Sequence, residues 1–540
     1  MTLKGQLLKS ASVIALVTVI SRICGYLRDQ RVALLLGTSP AADSLVLVFG
    51  IPNLIRRLSG EGALGAAFIP VFTRYLRDKP RSEAWAFAQK VFWDMAALLG
   101  VIALLGVVFA RQVVHLFTIF SHNPAHWELA VWLARIIIPA IFFVALAGIA
   151  AAVLNSFHIF ALPASTPIFF NLVLILFSLG VVYRPIMRLA PERFQTPAVA
   201  IACAILLGGI IQFAIQIPAL LRLGMKFQPE ISFRDPGVQQ VGRLMGPSIL
   251  GVGVYQINFF VDKVFSTSSQ MPSGSVTSLY VAEHVMQLVL GICAVAMSTA
   301  LLPTLSHQAA AKDFVEMKRT FGFSLRVVSF IAIPAAVGLI LLRQPIIQVL
   351  FQHGKFVAES TALTARALFY YSLGLPAFAA IKLITPMYYS MHDTMTPARV
   401  GAYALGLNIL LNAGFLIFFL RYLSNGSPAL ASSLAAYFNF TLLFLIFRKR
   451  HGRLGARGLA ASLGKMAACA VAMAAVCYGA LRLSRFAYAE HFLEQAGLLL
   501  AIILTSTAIY FGVAWLLRCE ELGEFFLLLR RAERKEASAV

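Results

Sequence analysis

Charge is what this chain has least of. Of its 540 residues only 13% are Asp, Glu, Lys or Arg, against about a quarter in a soluble domain. Hydrophobic residues make up 59%, and the mean hydropathy is +0.81. That shortage of charge excludes a water-soluble globular fold. Acids are scarcer than bases, 23 against 45. A net charge of +22 would suggest nucleic acid in a soluble protein. No duplex- or single-strand-binding motif accompanies it here, and basic loops facing the cytoplasm account for it. Alternating runs of about ten residues, the mark of a membrane β-barrel, are missing. The six cysteines, Cys24, Cys203, Cys293, Cys469, Cys477 and Cys519, lack CxxC spacing and sit mostly in apolar runs. They read as small buried hydrophobes rather than a disulfide framework or metal site. There is no H-E-x-x-H, no P-loop and no nucleophile elbow, which argues against an ATP-driven pump, and the outward loops are short and acid-poor, which argues against an enzyme such as a polytopic glycosyl- or phosphotransferase.

Long apolar runs are what is there. Fourteen candidate spans lie near 9–36, 41–66, 86–110, 127–153, 160–183, 196–221, 238–264, 276–304, 320–342, 359–390, 397–420, 427–447, 459–482 and 494–517. The first does not read as a signal peptide: it is too long, contains Arg22 and Arg28, and is followed by no A-x-A site. The expected fold is an all-α polytopic membrane protein. With the N-terminus inside, the cytoplasmic connections carry most of the basic residues, among them Arg74, Arg77, Lys79, Arg222, Lys226, Arg448, Lys449 and Arg450. The outward 265–275 loop carries no charge. Arg184, Arg188 and Arg193 dissent, but the asymmetry elsewhere favours both termini in the cytoplasm.

An internal repeat divides the chain. Ala67-Phe68-Ile69-Pro70 resembles Ala300-Leu301-Leu302-Pro303, Arg111-Gln112 resembles Arg343-Gln344, and Ser165-Thr166-Pro167 resembles Met395-Thr396-Pro397, each at an offset of about 230 residues. Two halves of six spans follow. Six is even, so the halves share one orientation, an arrangement found in secondary transporters whose substrate sites lie near the midplane. The expected division is 1–225, 226–450, and a C-terminal part, 451–540, with two extra spans.

The polar residues that break the apolar runs are the candidate site. Arg22, Arg28, Arg56 and Arg57 lie in or beside the first two spans. A guanidinium at membrane depth costs about 2.5–3.5 kcal/mol on the insertion scale and cannot escape by deprotonating. Such groups line wet cavities and await an anion, and several together suit a diphosphate, which they read bidentately. Asp29, Asp43, Asn53 and Glu61 accompany them. The alternative is that Arg28–Asp29 and Arg57–Glu61 are ion pairs that snorkel toward headgroups. Later in the chain stand Asp262-Lys263, Glu283-His284 and Gln287. Their acids could bind a coupling cation, relay a proton or counter the arginines; a buried Asp262–Lys263 neighbour pair is the plainer alternative. His284 titrates near neutral pH or is a hydrogen-bonded core residue. Asp393, before Thr396-Pro397, is placed to cap a helix. Asn155, Asn171, Asn408 and Asn412 are expected to bond helix to helix.

The stretch Ser21-Arg22 … Gly25 … Arg28-Asp29 … Asp43 … Pro52-Asn53-Leu54 … Arg56-Arg57 … Glu61-Gly62-Ala63 … Ala67-Phe68-Ile69-Pro70 closely resembles the start of the MurJ (MviN) lipid II flippases. So do Phe351-Gln352-His353-Gly354-Lys355-Phe356 and Tyr370-Tyr371 … Gly374-Leu375 … Asp393 … Thr396-Pro397. The likeness covers spans one to twelve.

The resemblance implies the multidrug/oligosaccharidyl-lipid/polysaccharide exporter fold. It also implies alternating-access transport of an undecaprenyl-diphosphate-linked peptidoglycan precursor to the outer leaflet of the bacterial cytoplasmic membrane. By position Arg22, Arg28 and Arg56 match the family's cavity arginines, and Asp29, Asp43, Asn53 and Glu61 its other polar positions. The last two spans look like its lipid-tail groove. His284 stands where many members have Arg, and Gln287 where they have Glu, which leaves a fourth cationic ligand and a gating pair in question. Asp262 and Asp393 resemble acids tied to sodium in some members; sodium or the membrane potential would drive the cycle, with no other cofactor. Membrane lipids and cell-wall synthesis proteins are the expected partners of a monomer, and no nucleic acid. Rival readings are another lipid-linked oligosaccharide flippase, a cation-coupled antiporter of the same fold, or a non-transporting cell-wall scaffold.

Overall fold

The computed structural model describes residues 3–59, 63–121, 127–291, 294, 296–452, 456–484 and 491–523. Among them every regular element is helical and no strand occurs. Lipid offers no hydrogen bonds, so a spanning backbone must satisfy its own, and a helix does so within one segment. Helix occupies each of the fourteen apolar runs. By length and composition eight helices among the described residues can cross a membrane, or nine if Ala161–Phe177 and Gly180–Met187, bent by 74°, form one span. One of the eight is the whole Met395–His451 stretch of 57 residues. At about 1.5 Å per residue it far exceeds a hydrocarbon core of about 30 Å. Its two arms, Met395–Gly414 and Ser427–His451, fold back on each other. The count is thus compatible with fourteen spans.

The chain forms two compact units. One is Met1–Thr277 with His353–Phe356; the other is Ser278–Gln352 with Val357–Val540. In the first unit Leu3–Leu36 packs along Ala161–Phe177, which packs against Pro197–Ala214. Its core gathers aromatics among aliphatic side chains: Phe68, Phe72, Trp85, Phe87 and Phe92 are buried together, with the Tyr75 and Phe87 rings stacked 4.4 Å apart. The Pro236–Phe265 helix starts at Asp235, whose carboxylate accepts from Gly237 N at 2.8 Å, and proline fills the first helical position, where no amide is needed. A Cβ on Gly237 would meet Tyr75 Oη at 2.7 Å and the Phe87 ring at 2.8 Å, so glycine lets this helix approach Ala63–Asp78. By the repeat the helix opens the second half of the chain; by packing it sits in the first unit.

The dissenting arginines lie on and after a bent helix. Arg184 lies on the bent Gly180–Met187 helix, Arg188 caps its end and Arg193 follows; all three are exposed, beside exposed Val181 and Leu189. A short helix turned off the span axis lets long cationic side chains reach a polar boundary while their stems stay on apolar surface.

In the second unit Phe314–Phe351 packs along Ala358–Ser390, and Ser427–His451 along the latter. Small residues permit the approach: a Cβ on Gly374 would meet Ser433 Oγ at 2.5 Å, and that hydroxyl donates to the Tyr370 carbonyl at 2.7 Å. Tyr388 Oη donates to the Leu443 carbonyl at 2.7 Å. Ala456–Leu483 and Phe492–Leu516 pack on each other and on Phe314–Phe351, where Tyr510 Oη donates to the Phe330 carbonyl at 2.9 Å. Cys469, Cys477 and Cys519 are buried free thiols.

Candidate functional site

The first helix supplies the centre of the site. Arg28 keeps only 14% of its side chain exposed. Its Nε and Nη2 donate to Asp29 Oδ1 at 2.9 and 2.7 Å, and its Nη1 donates to Asn171 Oδ1 at 3.0 Å. Asn171 is buried and donates in turn from Nδ2 to the Ser21 carbonyl at 3.2 Å. One step along, Arg31 Nε donates to Ser178 Oγ at 3.4 Å. A planar, permanently charged group bonded from two directions has its plane set, and the Asp29 carboxylate offsets the cost of its burial. Arg28–Asp29 is therefore an ion pair, as the plainer sequence reading allowed. Arg22 is exposed, about 120° round the helix from Arg28. Asn53 is half-buried on Pro40–Ser59. The side chains of Arg56 and Arg57, and all of Glu61, lie outside the described residues.

Asp43, expected with the substrate-binding residues, is 5% exposed and fully engaged. Its Oδ1 accepts from Thr277 N at 2.8 Å and Thr277 Oγ1 at 2.7 Å, and its Oδ2 from Gly274 N at 2.8 Å. It thus caps, from another helix, the turn that begins at Ser275. Gly274 has φ +86, and a Cβ there would overlap Thr38. Close by in the fold, the His353–Phe356 turn is seated on the end of the first helix. Lys355 N donates to the Leu34 carbonyl at 2.9 Å, and a Cβ on Gly354 would stand 2.6 Å from that carbonyl.

The remaining polar candidates stand on or beside three helices, Pro236–Phe265, Ser275–Leu290 and Met395–Gly414. Asp262, in the first unit, is fully buried, and its backbone carbonyl accepts from Ser266 Oγ at 2.6 Å. In the second unit buried Glu283 accepts from Gln287 Nε2 at 2.6 Å. His284 Nδ1 lies 2.9 Å from the Tyr280 carbonyl, the two rings 4.1 Å apart. Asp393 caps Met395–Gly414: its Oδ1 accepts from Thr396 N at 2.9 Å, its Oδ2 from Thr396 Oγ1 at 2.6 Å and Arg450 Nη1 at 2.8 Å. Burial pushes this carboxyl up, but the Thr396 bonds and the Arg450 guanidinium outweigh it and hold it below the usual carboxylate range. Among the described residues no group of three or more His, Cys, Asp or Glu side chains stands where it could hold a metal ion. With a guanidinium on one oxygen and a helix cap on both, Asp393 is a poor fit for sodium.

The second unit also contains an apolar cavity of about 350 Å³. It lies where Phe314–Phe351 meets the two C-terminal helices, with Pro334, Gly338, Leu342, Met473, Ser506 and Phe511 in its wall. Such a wall takes up hydrocarbon, at about 0.8 kcal/mol for each CH₂ buried.

Two arrangements have no mark in the sequence. Asn171 reads there only as one of several intramembrane amides; the cost of an amide in an apolar run is the sole hint. Lys90 Nζ reaches Asp235 Oδ2 at 3.1 Å and Glu230 Oε1 at 3.5 Å, and Asp94 Oδ1 accepts from Ser232 N at 2.7 Å. These bonds staple the 230–235 connection onto Arg81–Val108. Their partners lie far apart in the chain, so no local spacing links them.

Known proteins resemble this chain in sequence and fold. Residues 32–497 match the profile of the family described as Lipid II flippase MurJ. A probable lipid II flippase MurJ of Vibrio cholerae is 34% identical over 451 residues, covering 82% of this chain and 83% of its own. The lipid II flippase MurJ of Burkholderia cenocepacia is 29% identical over 506 residues, covering 93% and 95%. A solved lipid II flippase MurJ in an inward closed conformation is similar at a TM-score of 0.75 and 25% identity, over 92% of this chain and 98% of that one. A MATE family multidrug resistance transporter in an inward-facing conformation shares the fold alone, with a TM-score of 0.64 and 12% identity over 82% and 98%.

Proposed function

Because the chain belongs to the lipid II flippase MurJ family, we propose that it carries lipid II from the inner to the outer leaflet of the bacterial cytoplasmic membrane by alternating access. It is a transporter, not an enzyme. The observation that carries the assignment of its site is Arg28: a largely buried guanidinium on the first helix, set in plane by Asp29 and Asn171. A diphosphate is the headgroup element that matches a pre-oriented guanidinium, because paired N–H donors meet paired phosphate oxygens. Arg22 and Arg56, by position in the family motif, join it, with Asn53 and Glu61 as further polar neighbours. Asp43 acts as the anchor of the 274–277 turn rather than as a ligand. Glu283, His284 and Gln287 are polar residues of the Ser275–Leu290 helix, and Asp262 is one of the Pro236–Phe265 helix; each responds to the headgroup during the cycle.

The prenyl chain takes the apolar cavity beside Ala456–Leu483 and Phe492–Leu516. That division of labour, cation for the diphosphate and hydrocarbon wall for the tail, is what an amphiphile with a large polar head requires. Residues 1–225 and 226–450 are the two repeated halves of the cycle. The Pro236–Phe265 helix links them, since it belongs to one by repeat and packs with the other. Both termini face the cytoplasm, the functional form is a monomer among membrane lipids, and cell-wall synthesis proteins receive its product. The membrane potential resets the cycle, being worth about 2.3 kcal/mol per charge per 100 mV. No step is assigned to sodium.

The deciding experiment is lipid II export in cells depleted of their own flippase. Expression of this chain restores outer-leaflet lipid II, and Arg28→Ala at equal membrane level does not. Restoration by both would remove Arg28 from the site. Restoration by neither would leave transport of another lipid-linked oligosaccharide or a non-transporting scaffold as the reading.

A further inference from the structure

We infer that Asn171 is a positioning residue for the headgroup site, holding the Arg28 guanidinium in the plane that receives a diphosphate. The inference rests on the reading of Arg28 as the diphosphate ligand.

Asn171 makes two hydrogen bonds to one stripe of the first helix. Its Oδ1 accepts from Arg28 Nη1 at 3.0 Å and its Nδ2 donates to the Ser21 carbonyl at 3.2 Å. Ser21 and Arg28 are seven apart, two turns along one face. Gly25 lies between them, where an added Cβ would already stand 3.5 Å from Asn171 Nδ2. A bulkier side chain at 25 would displace the amide. The orientation of the amide follows from its neighbours: a guanidinium only donates and a carbonyl only accepts, so Oδ1 must face Arg28 and Nδ2 must face Ser21. Only an amide of this reach satisfies both ends at once. Helix-to-helix adhesion would need one such bond; the second, to Arg28, fixes the direction of a flexible side chain.

The partner's neutrality is also informative. Asp29 already supplies one carboxylate to Arg28 at 2.7 Å. A second carboxylate at 171 would leave the three groups net negative and repel a diphosphate. An amide orients the guanidinium without opposing its charge. Pre-orientation removes the ordering that a free arginine would undergo on binding, and such ordering weakens affinity.

The test is lipid II binding to purified protein in nanodiscs for wild type, Asn171→Ala, Asn171→Asp, Arg28→Ala and the Arg28→Ala/Asn171→Ala double variant. Loss of a hydrogen bond to a charged group predicts roughly tenfold weaker binding for Asn171→Ala and no further loss when Arg28 is already Ala. Asn171→Asp keeps the shape and the bond to Arg28 but turns an acceptor toward the Ser21 carbonyl, so its binding is read beside its unfolding midpoint, which a merely structural loss would lower as much as the binding. The positioning role predicts that it binds lipid II at least as poorly as Asn171→Ala. Losses that add in the double variant, or wild-type binding by Asn171→Asp, would overturn the inference. If Arg28→Ala binds as wild type, the diphosphate reading itself fails, and this inference with it. If Arg28→Ala is impaired and Asn171→Ala is not, only the positioning role is lost.

Discussion

Asp43 and Thr277 are 234 residues apart in sequence and are joined twice, through the Thr277 amide at 2.8 Å and its hydroxyl at 2.7 Å. With Gly274 N on the other oxygen, the carboxylate closes the start of a helix that its own helix does not adjoin in sequence. This makes Asp43 an anchor. Asp43→Ala strands three buried donors, each at about 1–3 kcal/mol, whereas Thr277→Val removes one hydroxyl bond to a carboxylate, worth about 1.5–3 kcal/mol. Denaturant unfolding of the two variants should follow that order. Lipid II affinity of folded Asp43→Asn should stay near wild type; a loss as large as that of Arg28→Ala would make Asp43 a ligand after all.

Gly37 has φ +58, and a Cβ there would overlap the Lys355 carbonyl. Gly37→Ala combines a left-handed backbone with that overlap. It should destabilise by more than the roughly 1 kcal/mol that the left-handed conformation alone costs. Gly406, with nothing within 4 Å of an added Cβ, is the control: its change to Ala should be neutral or stabilising in the same thermal unfolding assay.

The Asp393 cap should respond to acid. Its folded carboxyl titrates below the usual range because Thr396 and Arg450 outweigh its burial. A depressed carboxylate contributes fully above its unfolded value, about 3.9, and that contribution disappears as the pH falls through the lower folded value. Hydrogen exchange at residues 394–398 should therefore be independent of pH, after correction for intrinsic rates, from neutrality to about pH 4, and lose protection below it. Asp393→Ala should lose it at every pH, at about 1 kcal/mol. Arg450→Ala should cost less, since the arginine is half-exposed and water screens the pair.

Filling the apolar cavity should separate tail from head. Gly338 lines it, and an added Cβ there meets only Met473 Cε at 3.6 Å. Gly338→Phe should weaken lipid II binding by roughly tenfold for every two methylenes kept out. An analogue with a short prenyl chain should lose little. Equal losses for both would place the chain elsewhere.

The sequence by itself determined the class of this protein. Scarce charge and long apolar runs leave only helices that satisfy their own backbones in lipid, and the repeat and the Ser21–Pro70 motif indicate which family of such bundles. It also identified Arg28 as costly and therefore informative, because desolvation of a guanidinium can be read from one residue and its neighbours. Tertiary structure decided which partner each polar group meets. Asn171 finds Arg28, Asp43 finds Thr277, and Arg450 finds Asp393 across separations of 143, 234 and 57 residues. Hydropathy and helical period carry no information at such distances: they say which face of a helix is polar, and only packing says what stands opposite it.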